Sequence, residues 1–486
     1  MLTLLLLLIP LVASVLVPFL KRDQVKIFAL AATLAELAVT LSALTLFKND
    51  IADQFLVDYW WVPSLGISFK AGMDGISILL ITLTNVLLPL ILLSASRTDI
   101  KNPGAFYGLI LFMQFALVGV FAALDAFLFY VFWELALIPI YFICLLWGGA
   151  DRIRITLKFF IYTLSGSLLM LVGLIFLYLQ TPGTHTFDIQ AFYNLDLNGP
   201  QQSFIFWCLF LAFAVKIPIF PLHTWQPDTY TDAPAQGTML LSGIMLKMGI
   251  YGLIRWLIPI VPAGIEQWGS LAIAFCVTGI VYASCMAIVQ KDYKRLIAYS
   301  SIAHVGLIAA GVLVVNQEGL QGAMFQMVSH GINVIGLFTI VDVIQRRMKT
   351  RNLDELGGLA NTNPLFTVLF MIIVLGAVAL PLTNGFVGEF LLLNGLFQFN
   401  NLAGSMAGLT IILGAVYMFR SYQKIMLGNG QGNGSTHAFT GLLLNEKIIL
   451  ITVASLVVIT GIYPKPILQV AQPVIEEILI HAKAHI

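Results

Sequence analysis

The chain has 486 residues, 59% of them hydrophobic and only 10% charged, with a formal net charge of +1 and a mean hydropathy of +0.93. So little charge excludes a soluble globular domain and predicts an all-α, polytopic membrane protein. Near-neutrality, with no basic stripe and no interleaved aromatic and basic surface, excludes nucleic acid as a partner.

The chain opens with "MLTLLLLLIPLVASVLVPFL", which resembles a secretory leader in its apolarity only. It has no basic residues before the run and no small-x-small cleavage site, and Lys21 and Arg22 follow it, so a retained first helix is expected. A bilayer core takes roughly 20 apolar residues per helix. Stretches of that kind lie near 1–20, 25–46, 74–95, 105–123, 125–147, 157–180, 204–222, 232–256, 270–290, 295–315, 320–344, 364–398, 402–427 and 446–470, about fourteen spans. The loops at 47–73 and 181–203 carry Pro, Gly, Asn and Asp and are expected as irregular connections. "GNGQGNGST" at 428–436 lacks the strand, lysine and helix of a phosphate loop and is expected as a flexible connection.

Of the 25 Lys and Arg residues, eighteen fall in loops after odd-numbered spans and five after even-numbered ones or at the C-terminus. This asymmetry places both termini on the non-cytoplasmic side of a cell inner membrane. The other two, Lys216 and Lys247, lie inside spans. The four cysteines (Cys144, Cys208, Cys276 and Cys285) sit in apolar runs without metal or disulfide spacing and read as small buried hydrophobes. There is no dinucleotide fingerprint, haem pair or nucleophile elbow, so redox chemistry is not expected in this chain.

A charge at mid-bilayer costs about 2.5–3.5 kcal/mol on insertion scales, so the few present invite a functional reading: Glu36, Glu134, Lys216, Lys247, His304, His330 and Glu389, with Asp74, Asp125 and Asp342 near span ends. Glu134, in "DAFLFYVFWELALIPIYF", either takes a proton or pairs with a lysine of a neighbouring helix. Lys216, in "FAVKIPIFPLHTWQPD", precedes Pro218, which lacks an N–H and is expected to free a carbonyl near position 214 as a partner for the ammonium. His223 reads as a helix-end residue at the water boundary. Lys247 is flanked by Gly243, Gly249 and Gly252, which permit close helix approach; it either snorkels or serves a relay. His304 and His330 have Ser300, Ser301, Ser329 and Asn333 as neighbours and are either relay members or hydrogen-bonded packing residues. Glu36 reads as a lone protonated carboxyl or a contact to another subunit. "AVKIPIF" at 214–220 and "AVALPLT" at 377–383 place prolines mid-membrane five helices apart, a weak sign of inverted repeats with broken helices.

Taken together, "FWELALIPIYF" (132–142), "FAVKIPIFPLHTWQPDTYTDAP" (213–234), "LLSGIMLKMGIYGLIRW" (240–256), "QKDYKRLIAYSSIAHVG" (290–306) and "NGFVGEFLLL" (384–393) resemble the antiporter-like membrane subunits of respiratory complex I over nearly the whole chain. Within that group the M branch, equivalent to the mitochondrial fourth subunit, is the most similar. The L and N branches usually carry lysine where this chain has Glu389, and no long lateral helix of the L type is expected.

The resemblance implies fourteen transmembrane helices in two inverted five-helix repeats with helices 7 and 12 broken. It divides the chain into 1–104 (helices 1–3), 105–256 (helices 4–8), 270–427 (helices 9–13) and 446–486 (helix 14). It further implies that Glu134 pairs with Lys216, that Lys247, His304 and His330 relay the proton, and that Glu389 passes it to the exit side. NADH, FMN, iron–sulfur clusters and quinone are implied in partner subunits and no cofactor in this one, with L-like and N-like subunits as neighbours. A sodium/proton antiporter subunit, a hydrogenase-type membrane subunit and a purely architectural role remain the alternative readings.

Overall fold

The computed structural model describes residues 1–95, 100–427 and 441–484. Arg97 and the glycine-rich stretch at 428–436 lie outside the described residues. The chain begins with α1 (Leu2–Leu16) and α2 (Arg22–Leu46), then a two-stranded antiparallel hairpin, β1 (Gln54–Val62) and β2 (Ile67–Met73). There follow α3 (Gly75–Ala95), α4 (Pro103–Ala122), α5 (Ala126–Trp147), α6 (Arg152–Gln180), the short α7 (Ile189–Tyr193), α8 (Gly199–Lys216) and α9 (Gln226–Asp232). Next come α10 (Ala235–Leu240), α11 (Leu246–Gly252), α12 (Pro262–Val289), α13 (Tyr293–Leu313) and α14 (Gln317–Met348). The chain closes with α15 (Pro364–Ala377), α16 (Asn384–Phe399), α17 (Asn401–Met426), α18 (Leu444–Ile462) and α19 (Lys465–Ala484).

Among the described residues twelve helices are long and apolar enough to cross a membrane. The two remaining expected spans are interrupted helices: α8 and α9 on either side of residues 217–225, and α15 and α16 on either side of 378–383. The helical membrane architecture expected from the apolar runs is therefore present, with both interruptions where the prolines stand. The seventh span begins earlier than 204, because Asn198 and Gln201 form a reciprocal cap at Gly199.

Helix α10, two π-helical turns (Leu241–Met245 and Leu253–Leu257) and α11 together form one continuous helix. This helix and α13 are buried on every side, with α14 buried along most of its length. Helices apolar all round belong in the middle of a bundle. Helices α1, α2, α6, α17 and α18 form its outer edge, with many exposed apolar side chains such as Leu34, Leu168, Ile412 and Ile459.

Three local features differ from the expectation. Residues 54–73 are not irregular: Val57 pairs with Ala71 and Tyr59 with Phe69, and Gly66 supplies the left-handed turn between the strands. The hairpin is tied down where Asp125, the N-cap of α5, accepts from Ser68 N (3.2 Å), and by a Lys70–Asp188 ion pair. The last span ends at Ile462 and does not run to 470, since Pro464 lacks the N–H a continuing helix needs. The amphipathic α19 then lies against α3 and α14, burying Val474, Ile475 and Ile478. Finally, two basic residues read as loop cations are inside the bundle. Arg255 donates to Asp74 Oδ2 (2.7 Å) and Asp53 Oδ1 (3.2 Å), and Lys294 lies in the first turn of α13, 4% exposed.

Candidate functional site

Helix α8 ends at Lys216 because Pro218 cannot continue it. The carbonyls at the break are not left free. Ile219 N–H donates to Ala214 O (2.9 Å) and the Trp225 indole N–H donates to Val215 O (3.0 Å). The expected free carbonyl near position 214 is thus filled by the chain itself and is no partner for Lys216. The ammonium of Lys216, 3% exposed, instead sits over the indole of Trp133 on α5, 5.2 Å from the ring centroid. An ammonium over an indole face is stabilised by about 0.5–2 kcal/mol, more as water is excluded.

Glu134 follows Trp133 on α5, and its charge acts on Lys216. Glu134 and Lys216 do not close into an ion pair, and Glu134 Oε1 is buried without a hydrogen-bond partner. The pairing expected from the resemblance is therefore open in this structure. His223, just past the end of α8, is 4% exposed, stacked on Phe220 (centroids 5.5 Å apart) and against Tyr282 (5.1 Å).

Lys247 lies on α11, which approaches α8 closely. A side chain at Gly249 would put its Cβ 2.5 Å from Ile217 Cγ1, and one at Gly252 would put it 2.5 Å from the Phe213 ring. The Lys247 ammonium, 1% exposed, donates to Ser242 O in the π turn (2.6 Å) and lies 2.9 Å from His330 Nδ1. His330 Nε2 lies 3.2 Å from Ser301 Oγ. A charged lysine has only donors, so His330 then accepts at Nδ1 and carries its proton at Nε2 towards Ser301.

The rings of His330 and His304 have centroids 6.1 Å apart. His304 Nδ1 stands 2.9 Å from Glu389 Oε1, yet the approach is misaligned and neither ring nitrogen makes a hydrogen bond. Gln326 Nε2 donates to the same carboxylate oxygen (3.3 Å). Between these groups lies a cavity of about 20 Å³ lined by Ser300, Ser301, His304, Gln326, His330 and Asn333. Buried oxygens of Gln326 and Asn333 are unpartnered there, as are both side-chain polar atoms of nearby Asn384. A polar cavity of this size holds one water.

Lys247, His330, His304 and Glu389 therefore form one buried polar train, while Glu134 and Lys216 stand at the neighbouring helix break. Gln326 and Asn384 join the train without having been singled out in the sequence, and Asn333 was noted there as a polar neighbour of His330. Gln326, His330 and Asn333 are spaced four and three apart, which puts them on one helix face, a signal "QMVSHGIN" carried.

Glu36 belongs elsewhere. It is fully buried within this chain with no cation paired to it among the described residues: Asn85 Nδ2 donates to its Oε1 (3.4 Å) and to Thr40 Oγ1 (2.8 Å), Gln114 Nε2 donates to Asn85 Oδ1 (2.8 Å), and its Oε2 is unpartnered.

The transmembrane model of the NADH:quinone oxidoreductase/Mrp antiporter family matches residues 123–414, the stretch that carries all six of these groups. NADH-quinone oxidoreductase subunit M of Rickettsia conorii is 40% identical over 435 residues, 89% of this chain and 87% of its own. F(420)H(2) dehydrogenase subunit M of Methanosarcina mazei is 38% identical over 481 residues, covering 96% and 95%. A chain of respiratory complex I from Thermus thermophilus superposes with a TM-score of 0.91 at 28% identity, over 99% of this chain and 100% of that one. On this match the chain belongs to the transmembrane family of NADH:quinone oxidoreductase and Mrp antiporter subunits.

Proposed function

We propose that the chain is a proton-translocating membrane subunit of an NADH:quinone oxidoreductase, a non-redox part of a translocase. The carrying observation is the buried Lys247–His330–His304–Glu389 train in an otherwise apolar bundle. NADH, FMN, iron–sulfur clusters and quinone belong to partner subunits, and L-like and N-like subunits flank this one in the membrane. The span parity and the loop cations support an inner-membrane protein with both termini on the non-cytoplasmic side. The two breaks, each closed by an N–H bonded five residues back (Ile219 to Ala214 and Leu380 to Leu375), support the reading of 105–256 and 270–427 as two inverted repeats.

In this reading the open Glu134–Lys216 pair is one of two states. Closing it draws the ammonium off Trp133, changes the charge facing Lys247, and moves a proton from Lys247 through His330, the cavity and His304 to Glu389. Transfer against 100 mV costs about 2.3 kcal/mol per charge, so the two states must differ by at least that much. The similarity to the F(420)H(2) dehydrogenase subunit favours a second reading for the electron donor, with the same proton module served by a different donor-oxidising partner. The test is NADH-driven acidification by vesicles carrying the assembled complex. Glu134→Gln, Lys216→Ala and Lys247→Ala are expected to abolish the contribution of this subunit, and normal pumping in all three would sink the proposal. Sodium-dependent exchange without NADH would instead identify an antiporter.

A further inference from the structure

Lys294 lies among paired basic residues at one end of the bundle. Arg295 is paired with Asp228 (3.1 Å), Arg351 with Asp292 (2.9 Å), Arg346 with Asp342 (2.8 Å) and Arg347 with Glu446 (2.6 Å). Lys294 is more buried than any of these four, yet among the described residues it has no carboxylate at ion-pair distance. Its ammonium donates to a neutral acceptor, Ala233 O (2.6 Å), at the kink between α9 and α10 that leads into the helix bearing Lys247. The groups that face it are Asp292 and Arg351 beside it, Asp342 on α14 and the Cys144 thiol on α5. A cation held for structure alone is normally met by a counter-ion when buried.

Its position gives it a direction. On α13, Lys294, Ile297, Ser301 and His304 follow one another at spacings of three, four and three, so they share a face, and Lys294 stands about 10 Å along the axis from Ser301. Ile297 and Leu337 close the near end of the polar cavity, whose lining also includes Ser301, His304 and His330. A single apolar layer therefore separates Lys294 from the relay.

Resting on the proton-translocating reading, we propose that Lys294 is the proton-loading residue of this subunit, taking protons from the basic, cytoplasmic face and delivering them past Ile297 and Leu337 to Ser301 and His330. In the step, one Nζ–H bond breaks and its proton passes to a water admitted between the two apolar side chains. That water hands a proton to His330, and the neutral amine is reloaded from water on the basic face. Arginine never releases its proton and so cannot perform this step, while lysine can.

The test uses vesicles of the assembled complex with the basic face outward. Lys294→Arg keeps the charge and the donor to Ala233 O, so a structural role predicts parental pumping and would overturn the proposal. The loading role predicts NADH-driven acidification at least about tenfold lower, with NADH oxidation by an artificial acceptor unchanged. Lys294→His is expected to restore pumping with a pH profile moved towards acid, because imidazole exchanges protons at lower pH than an amine. Should Lys294→Arg fail to assemble, Lys294→Cys decides. Labelling by a water-soluble thiol reagent from the basic face, above that of the parent with its native cysteines, supports the proposal, and no gain overturns it. Lys247→Ala is run alongside. If it pumps normally the translocation reading itself fails; if it does not pump and Lys294→Arg does, only the loading role fails.

Discussion

Lys247 Nζ lies 2.9 Å from His330 Nδ1, both groups are almost wholly buried, and no carboxylate stands between them. Two cations at that separation in a low-dielectric interior repel strongly, so one proton is shared between the pair and its location responds to any charge brought near. His330→Ala removes the acceptor and breaks the route to Ser301 and the cavity. Pumping is expected to fall by about tenfold or more, whereas Ser301→Ala, which removes one weak partner, is expected to cost only a few-fold. Acidification rates normalised to NADH oxidation in reconstituted vesicles check the ordering.

Trp133 holds the Lys216 ammonium in the open arrangement. Trp133→Leu withdraws about 1–2 kcal/mol of cation–π stabilisation from that state, roughly a tenfold change in its population, and Trp133→Phe withdraws less. If the alternation between open and closed pairs limits turnover, the three side chains should rank in coupled proton transfer while uncoupled NADH oxidation stays level. Equal pumping in all three would remove Trp133 from the mechanism.

How far the sequence reveals this site follows from what is rare in it. Lys216, Lys247 and Glu389 stand out because ammonium and carboxylate groups seldom interrupt apolar runs, and both helix breaks follow from prolines. The open state of Glu134 and Lys216 was not legible, because a few ångströms of side-chain reach decide between an ion pair and a seat on Trp133, one of 8 tryptophans with no local mark of its role. The surroundings of Glu36 were hidden for a similar reason. Its partner Asn85, and Gln114 which donates to Asn85, lie 49 and 78 residues away on other helices, and only packing brings the three amide and carboxyl groups together. Arg255 and Lys294 were placed in loops because hydropathy ends a span at a charge, whereas the hydrogen-bonded helix runs on through it. The hairpin at 54–73 was hidden by turn-forming residues on either side of its strands.

Gly249 sets the distance between the helices of Lys216 and Lys247. A methyl group there would meet Ile217 Cγ1 at 2.5 Å and Phe213 O at 3.1 Å, and overpacking of this kind costs about 1–3 kcal/mol. Gly249→Ala is expected to lower the thermal midpoint of the detergent-solubilised complex and to weaken pumping by pushing α8 from α11. Gly408→Ala is the control, since nothing lies within 4 Å of its added Cβ. An unchanged midpoint and rate for Gly249→Ala would show that the bundle relaxes around the contact without loss.

The loop between α14 and α15 is held to the end of α17 by charge. Lys424 Nζ lies 2.5 Å from Asp354 Oδ1 and Lys291 Nζ 3.5 Å from Oδ2. The hydrogen bond and charge of Lys424 first, and those of Lys291 after them, hold the Asp354 carboxyl below its ordinary value of 3.8. A carboxylate depressed in the folded state stabilises that state fully above its unfolded value, and the stabilisation is lost as pH falls through the folded one. The attachment of this loop is therefore expected to be constant from neutrality down to about pH 5 and to weaken below pH 4. Because the site is exposed, the attachment should also weaken in high salt at neutral pH. Hydrogen exchange of the 352–357 amides reads both effects. Asp354→Asn should exchange at neutral pH as the parent does in acid and lose the salt dependence. A parent loop whose exchange, corrected for the intrinsic pH effect, is the same at pH 3 and pH 7 would show that its backbone bonds, Leu353 N–H to Lys291 O (2.8 Å) among them, hold it without the charges.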